Sequence, residues 1–236
     1  MLFHTPYLAI SSINSFWSLS EELSNQVEVR CQLNFNNPVS PAKLKPLLKL
    51  VVAGKEMPYR IITQNDAESI EVAFAYNSQS SENETKGELI IAKGLICTGG
   101  NTATGDEIKS EFLIPSKDKL VITATESGFD NGKGFIDVYT SQPVIAEGLN
   151  SFVSTDPGLN LETELLSNGF RIKGEFLGSQ TYTLTVRKGV KSLFGRELED
   201  DFTVAVSFSD PLPNISFTEQ NAIYLSTKGE RNLGVN

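Results

Sequence analysis

The side chains able to do acid–base, nucleophilic or metal chemistry are few in this chain, and they are scattered. The one histidine, His4, stands near the start. One histidine builds neither a Ser-His-Asp triad nor a multi-histidine metal site. The two cysteines are Cys31, in "VEVRCQLNF", and Cys97, in "KGLICTGG". Neither lies in a CxxC or Cys/His metal spacing. They pair only if the fold brings them together, and otherwise stay free, half-buried thiols. The stretch "TESGFDNGKG" gathers Glu126, Asp130 and Asn131. A calcium loop needs oxygens at fixed alternate positions, and that order is absent, so the stretch reads as a hairpin turn. "RELEDD" holds Glu197, Glu199, Asp200 and Asp201. Paired carboxylates serve a glycosidase only when they flank a cleft. Consecutive acids on a strand alternate faces, so these read as a solvated edge that discourages sheet-to-sheet pairing. Phe16 and Trp17 form either an exposed sugar- or partner-binding pair or, the preferred reading, a contact beneath the first strand. The expectation is that no residue is catalytic, cofactor-binding or metal-ligating, that no cofactor is bound, and that the chain is not an enzyme.

Bulk properties narrow the class further. The chain has 236 residues, 39% of them hydrophobic, and a formal net charge of −9. That length allows one or two packed domains. No apolar run approaches the roughly 18 residues of a membrane span. Nucleic-acid affinity rests on clustered Lys and Arg, and short basic pieces such as "RKGVK" (Arg187–Lys191) read as solvated turns. No nucleic-acid partner is therefore expected.

The elements that would position any site are strands. Val27, Val29, Cys31, Leu33 and Phe35 alternate with polar residues. So do Phe170, Ile172 and, past Gly174, Phe176; then Tyr182, Leu184 and Val186; then Phe202, Val204, Val206 and Phe208. Period-two runs rich in β-branched and aromatic residues predict strands with one face on a core. Helix signals are confined to two short turns. In "SPAKLKPLLKL", Ser40 is a candidate N-cap followed by Pro41; the other is "IAEGLNSF" (Ile145–Phe152). Asn131–Gly132 and Asn168–Gly169 supply positive-φ dipeptides for hairpins. Many short strands with regular turns predict all-β sandwiches of the Ig type.

The pattern is stated twice. "FNNPV" (Phe35–Val39) matches "TSQPV" (Thr140–Val144), with Pro38 and Pro143 about 105 positions apart, one sandwich length. "KGLICTGG" (Lys93–Gly100) matches "KGVKSLFG" (Lys188–Gly195). Each copy is read as a core strand stopped at a Pro-Val corner, which lacks an amide donor, then hairpins. A later strand enters a Lys-Gly turn with the next apolar residue tucked under it. Gly100 or Gly195 then opens the last turn. The polar tract Asn77–Gly87 is expected to be a hairpin tip that holds the extra length of the first copy. Boundaries are expected near Ile114–Lys119 and Ser209–Asn214. These give a first sandwich at 1–116, a second at 117–213, and a tail at 214–236 that starts a following module.

These phrases resemble the amino-terminal Ig-like region of bacterial alpha-2-macroglobulins. The resemblance runs through "VEVRCQLNFNNPVSPAKLKPLLKL", "ELIIAKGLICTGG" and "YTLTVRKGVKSLFGRELEDDFTVAVSFSDPLPNISF". It includes Tyr182, Gly189, Gly195, Leu198, Asp210, Pro213, Ile215 and Phe217, and continues into Tyr224 and Leu225. Similar strand-and-turn phrasing occurs in Ig-like modules of S-layer and other surface proteins. The resemblance implies a structural piece of a large, lipid-anchored periplasmic protease trap. Its partners would be the other domains of the full-length chain and a protease trapped by it. No Cys-Gly-Glu-Gln thioester sequence is present, and Asn77–Gly87 does not qualify as a bait segment. In such a bacterial protein the sequons at Asn83 and Asn214 are taken as chance matches.

The opening "MLFHTPYLAISS" lacks a basic n-region, an apolar core and a small-residue cleavage site, and no lipidation-type cysteine stands near it. This leaves either a cytoplasmic protein or a segment whose leader has been removed; the new strand pattern of the tail favours the second, located in the periplasm or at the cell surface. The leading expectation is a non-catalytic structural and interaction segment of an alpha-2-macroglobulin-like inhibitor. The alternative is an Ig-like tandem of a cell-surface protein that binds a glycan or protein partner.

Overall fold

A computed structural model describes residues 7–20, 26–77 and 83–209. The expected all-β fold is what it shows. The strands are β1 (Ile10–Leu19), β2 (Val27–Val39), β3 (Leu48–Val52), β4 (Lys55–Glu56), β5 (Arg60–Ile61), β6 (Ala67–Phe74), β7 (Thr85–Ile91) and β8 (Ile108–Ile114). They continue as β9 (Ile122–Asp130), β10 (Lys133–Thr140), β11 (Val153–Asp156), β12 (Glu162–Leu166), β13 (Gly169–Gly174), β14 (Thr181–Val186) and β15 (Phe202–Ser207). Helix α1 (Pro41–Leu44) and a 3-10 turn (Leu149–Phe152) occupy the two places expected for helical turns. Ser40 stands at the N-cap of α1 without a side-chain capping bond.

The antiparallel sheets run β1-β2-β6-β5 and β4-β3-β7-β8, then β12-β13-β10-β9 and β11-β14-β15. In Ig lettering these are ABED facing C′CFG, then ABED facing CFG. The alternation read from the sequence has a direct structural cause. Val29, Cys31, Leu33 and Phe35 on β2 point between the first two sheets and join Leu50, Ile70, Val72, Leu89 and Ile91 in one buried cluster. Ile136, Val138, Phe170, Ile172, Tyr182, Leu184 and Val186 form a second cluster between the other two sheets. Phe176, Tyr182 and Phe208 close it with ring contacts of 4.7–5.8 Å between centroids.

Register makes the two copies comparable strand for strand, β4 excepted. The Pro-Val corners bury Val39 and Val144 alike. The Pro38 carbonyl accepts from Thr98 N at 2.7 Å, and the Pro143 carbonyl from Leu193 N at 2.8 Å. In the Lys-Gly turns Gly94 and Gly189 have φ of +106° and +98°, conformations that favour glycine. Leu95 and Val190 are tucked beneath them. The outer faces differ in charge. On the first, Arg30 of β2 pairs with Glu71 of β6 at 2.8 Å and with Glu28 at 3.1 Å. On the second the acid is on β10 and the base on β13: Arg171 grips Asp137 with two bonds of 2.7 and 2.8 Å and lies over the Phe135 ring.

Several local expectations are corrected. The tract Asn77–Gly87 is no hairpin tip, because β6 and β7 belong to different sheets and it crosses between them; residues 78–82 lie outside the described residues. It shares the extra length of the first copy with the β3–β6 connection, where β4 lies. Asn131 and Gly132 do take positive φ, of +50° and +79°. In the other hairpin only Gly169 does, at +146°, and Asn168 does not. In the last turns, Gly100 and Gly195 donate to Cys97 O and Ser192 O alike, but the positive φ falls on Gly99 in the first copy and on Gly195 in the second. The proposed tail, residues 214–236, lies outside the described residues.

Candidate interaction site at the joint between the sandwiches

The residues singled out for chemistry are not brought together. His4 and Asn214 lie outside the described residues. Glu126 accepts from the Tyr139 hydroxyl at 3.1 Å, and Asn131 donates to Asp130 at 3.0 Å across the β9–β10 turn. Burial and the neighbouring carboxylates push the Tyr139 phenol above its usual range. The acids of "RELEDD" are not on a strand. Asp201 accepts the Lys188 amide at 2.9 Å, and Glu197 faces Lys191 at 3.7 Å, so they brace a turn that precedes β15. "RKGVK" is that turn's other arm, with Arg187 donating to Ser151 O at 2.9 Å. Cys31 is fully buried, Cys97 is half-buried, and both are free. Burial raises the Cys31 thiol far above the ordinary range. Among the described residues no group of three or more His, Cys, Asp or Glu side chains is arranged to hold a metal.

The densest set of buried polar contacts lies where the first sandwich meets the second. Phe16 and Trp17 are each 1% exposed, which removes them as an open binding pair. The Trp17 indole N–H donates to Pro115 O at 2.8 Å. Its ring stacks on Tyr76 and carries the Lys117 ammonium 5.5 Å from its centroid. Its backbone N–H crosses to Ser141 O at 2.8 Å. From the other side, Gln142, with no exposed surface, donates to Lys117 O and Lys119 O at 2.8 and 3.1 Å and accepts from Ser192 Oγ at 2.8 Å. Phe194 packs onto the buried cluster of the first sandwich. Arg196 pairs with Asp118 at 2.6 Å on the rim. The connector Pro115–Val121 is thus held on both sides. Gln142 supplies partners to two carbonyls of the connector.

Sequence reasoning missed two features here. The first is a clamp on the entry of each first strand. Ser141 N donates to Val121 O, its Oγ accepts from Val121 N and donates to Lys119 O. Asn36 repeats all three bonds with Ala9 and Tyr7: N to Ala9 O at 3.1 Å, Ala9 N to Oδ1 at 2.9 Å, and Nδ2 to Tyr7 O at 2.7 Å. The second is a staple between the first and last strands: Ser15 Oγ donates to Leu113 O, and Ser127 Oγ to Ser207 O. The signal was present, since Asn36 and Ser141 both stand two residues before the Pro-Val corner. Different side chains disguised it.

The contacts described at the joint are ones that hold the connector in place. Asn83, Asp118, Lys119, Arg196 and Glu199 line a shallow groove at its rim. No helix among the described residues is long and apolar enough to cross a membrane. No family model matches the chain, and no curated protein matches it.

Proposed function

We propose that this chain is a non-catalytic structural and interaction segment, the amino-terminal Ig-like part of an alpha-2-macroglobulin-like protease inhibitor of the periplasm or cell surface, lipid-anchored in its full-length form. The observation that supports this reading is the joint. A connector whose carbonyls are taken by Gln142 and Trp17 transmits position from one sandwich to the next, as a scaffold for trapping must. The phrases carrying the resemblance, Tyr182, Gly189, Gly195 and Leu198, fall on β14 and the turn after it. The functional partners are then the other domains of the full-length chain and a protease trapped by it.

Capture of a protease tests this. The full-length protein, incubated with a broad-specificity serine protease, is expected to retain it through gel filtration, while residues 1–236 alone retain none. Absence of retention by the full-length protein overturns the reading.

A second reading, an Ig-like tandem of a cell-surface protein, draws support from the outer face of β11-β14-β15. Ser154, Thr185 and Thr203 form one row, and Thr181 and Ser207 another; Asp156, Thr183 and Ala205 lie between. The same rows on the first sandwich carry Lys49, Lys86, Glu88, Lys109 and Glu111. A face nearly free of charge costs little to desolvate. Glycan-array binding by residues 1–236 alone would favour this second reading.

A further inference from the structure

We propose that the free edge of β11 is a docking site for an extended peptide strand of a partner protein, one with alternating apolar and basic residues. This goes beyond the scaffold reading and stands apart from it. Arg187 N donates to Phe152 O at 2.8 Å, so the ladder bonds of β11 toward β14 fall on Phe152, Ser154 and Asp156. In an antiparallel ladder the intervening residue turns its N–H and C=O the other way. The intervening residues are Val153, whose N–H is taken by Asn150 O, and Thr155, both on the outer edge of a three-stranded sheet.

The first sandwich shows what such an edge takes. At the equivalent place β4 pairs with β3, Met57 N donates to Leu50 O at 2.8 Å, and Tyr59 OH donates to Leu48 O at 2.7 Å. The edge is filled by an antiparallel strand. The second sandwich has no counterpart of β4, and its chain passes from β11 to β12 in the opposite sheet. Instead a groove of about 330 Å³ lies beside β11, lined by Val153, Ser154, Thr155, Leu159 and Leu161 among others. The Thr155 hydroxyl, on a residue only 9% exposed, is buried there without a partner. A buried hydroxyl with no partner is a standing cost, removed when a ligand supplies one.

The occupant's chemistry follows from the walls. Alternate residues of an added strand face inward, toward Val153, Leu159 and Leu161, and are apolar. The others lie beside Ser154 and Asp156. Asp156 is the one charged side chain in these rows of the outer face, so a lysine or arginine complements it. Main-chain bonds supply affinity and alternate side chains supply selectivity in strand addition.

The test uses the blocked peptide Val-Lys-Val-Thr-Val-Lys-Val, titrated into isotope-labelled residues 1–236 and followed by amide chemical shifts and hydrogen exchange. Shifts centred on Val153–Asp156 and slowed exchange of the Thr155 amide are expected. Thr155→Pro removes the edge donor and abolishes binding. Thr155→Val keeps the backbone, removes the hydroxyl and weakens binding about fivefold, the equivalent of one hydrogen bond. Asp156→Lys weakens the lysine peptide and strengthens its glutamate counterpart. The proposal is overturned by no shift at millimolar peptide, by shifts elsewhere, by binding that survives Thr155→Pro in a folded variant, or by sedimentation showing the edge occupied by a second copy of the chain.

Discussion

Replacing Gln142 by leucine tests the joint most directly. Leucine roughly keeps the volume and removes three hydrogen bonds, to Lys117 O, Lys119 O and from Ser192 Oγ. Each is worth about 1 kcal/mol net, and a buried partner left unsatisfied costs about 1–3 kcal/mol. The Ser192 hydroxyl keeps other company, because it also accepts from Phe194 N and Arg196 N. Lys119 O likewise keeps the Ser141 Oγ bond at 3.1 Å, so Lys117 O is the connector carbonyl that loses its Gln142 partner outright. Gln142→Leu is therefore expected to cost about 3 kcal/mol. Urea unfolding reads this in two channels. Far-UV circular dichroism follows all the sheets, and fluorescence follows Trp17, the single tryptophan, which sits on the connector. The midpoint should fall in both channels. The double variant Gln142→Leu/Ser192→Ala should be less destabilised than the sum of the singles, since they share one bond. A loss below about 1 kcal/mol in folded protein would mean that water satisfies the connector, and the case for a held joint would fail.

Phe194→Ala should loosen the two sandwiches without unfolding either. Residual dipolar couplings are expected to fit one alignment tensor in the wild type and two in the variant, and two tensors in the wild type would refute a stiff joint. Gly169→Ala places a Cβ against the Val138 carbonyl at φ +146°, so a loss of about 3 kcal/mol or more is expected in thermal unfolding. With 5,5′-dithiobis(2-nitrobenzoic acid), only Cys97 should react in the folded protein and both thiols after denaturation. The Cys31 thiol has its folded pKa raised by burial. Its contribution is therefore fully present below the unfolded value near pH 8.5 and declines as pH rises above it, by up to about 1.4 kcal/mol per unit. Cys31→Val should flatten that decline between about pH 8.5 and 9.5, before most tyrosines ionise.

The sequence made the sandwiches legible because burial on one face leaves a period-two trace. Val29, Cys31, Leu33 and Phe35 announce β2, and Tyr182, Leu184 and Val186 announce β14. The turn glycines were legible because positive φ narrows the choice of residue. Partner choice between strands was not. Nothing local in Asn77–Gly87 says whether the flanking strands pair or part, since sheet membership is decided by contacts far along the chain. The joint was illegible for a related reason. Gln142 and Ser192 are ordinary polar residues in ordinary turns, and only the fold sets them against the same connector. The acids of "RELEDD" were misread as a strand because charge alone carries no period, and Asp201 instead braces the Lys188 amide.

The opposite polarity of the ion pairs on the two outer faces has a consequence for folding. Neighbouring copies of one fold in a single chain risk exchanging strands while both are incomplete. β2 aligns Gln32 with Glu71 of β6, and β10 aligns Asp137 with Arg171 of β13. If β10 took the place of β2 beside β6, Asp137 would lie directly across from Glu71, two negative charges on one sheet face. The sister strands are alike enough to share an architecture and unlike enough, at this one rung, to refuse each other's partners.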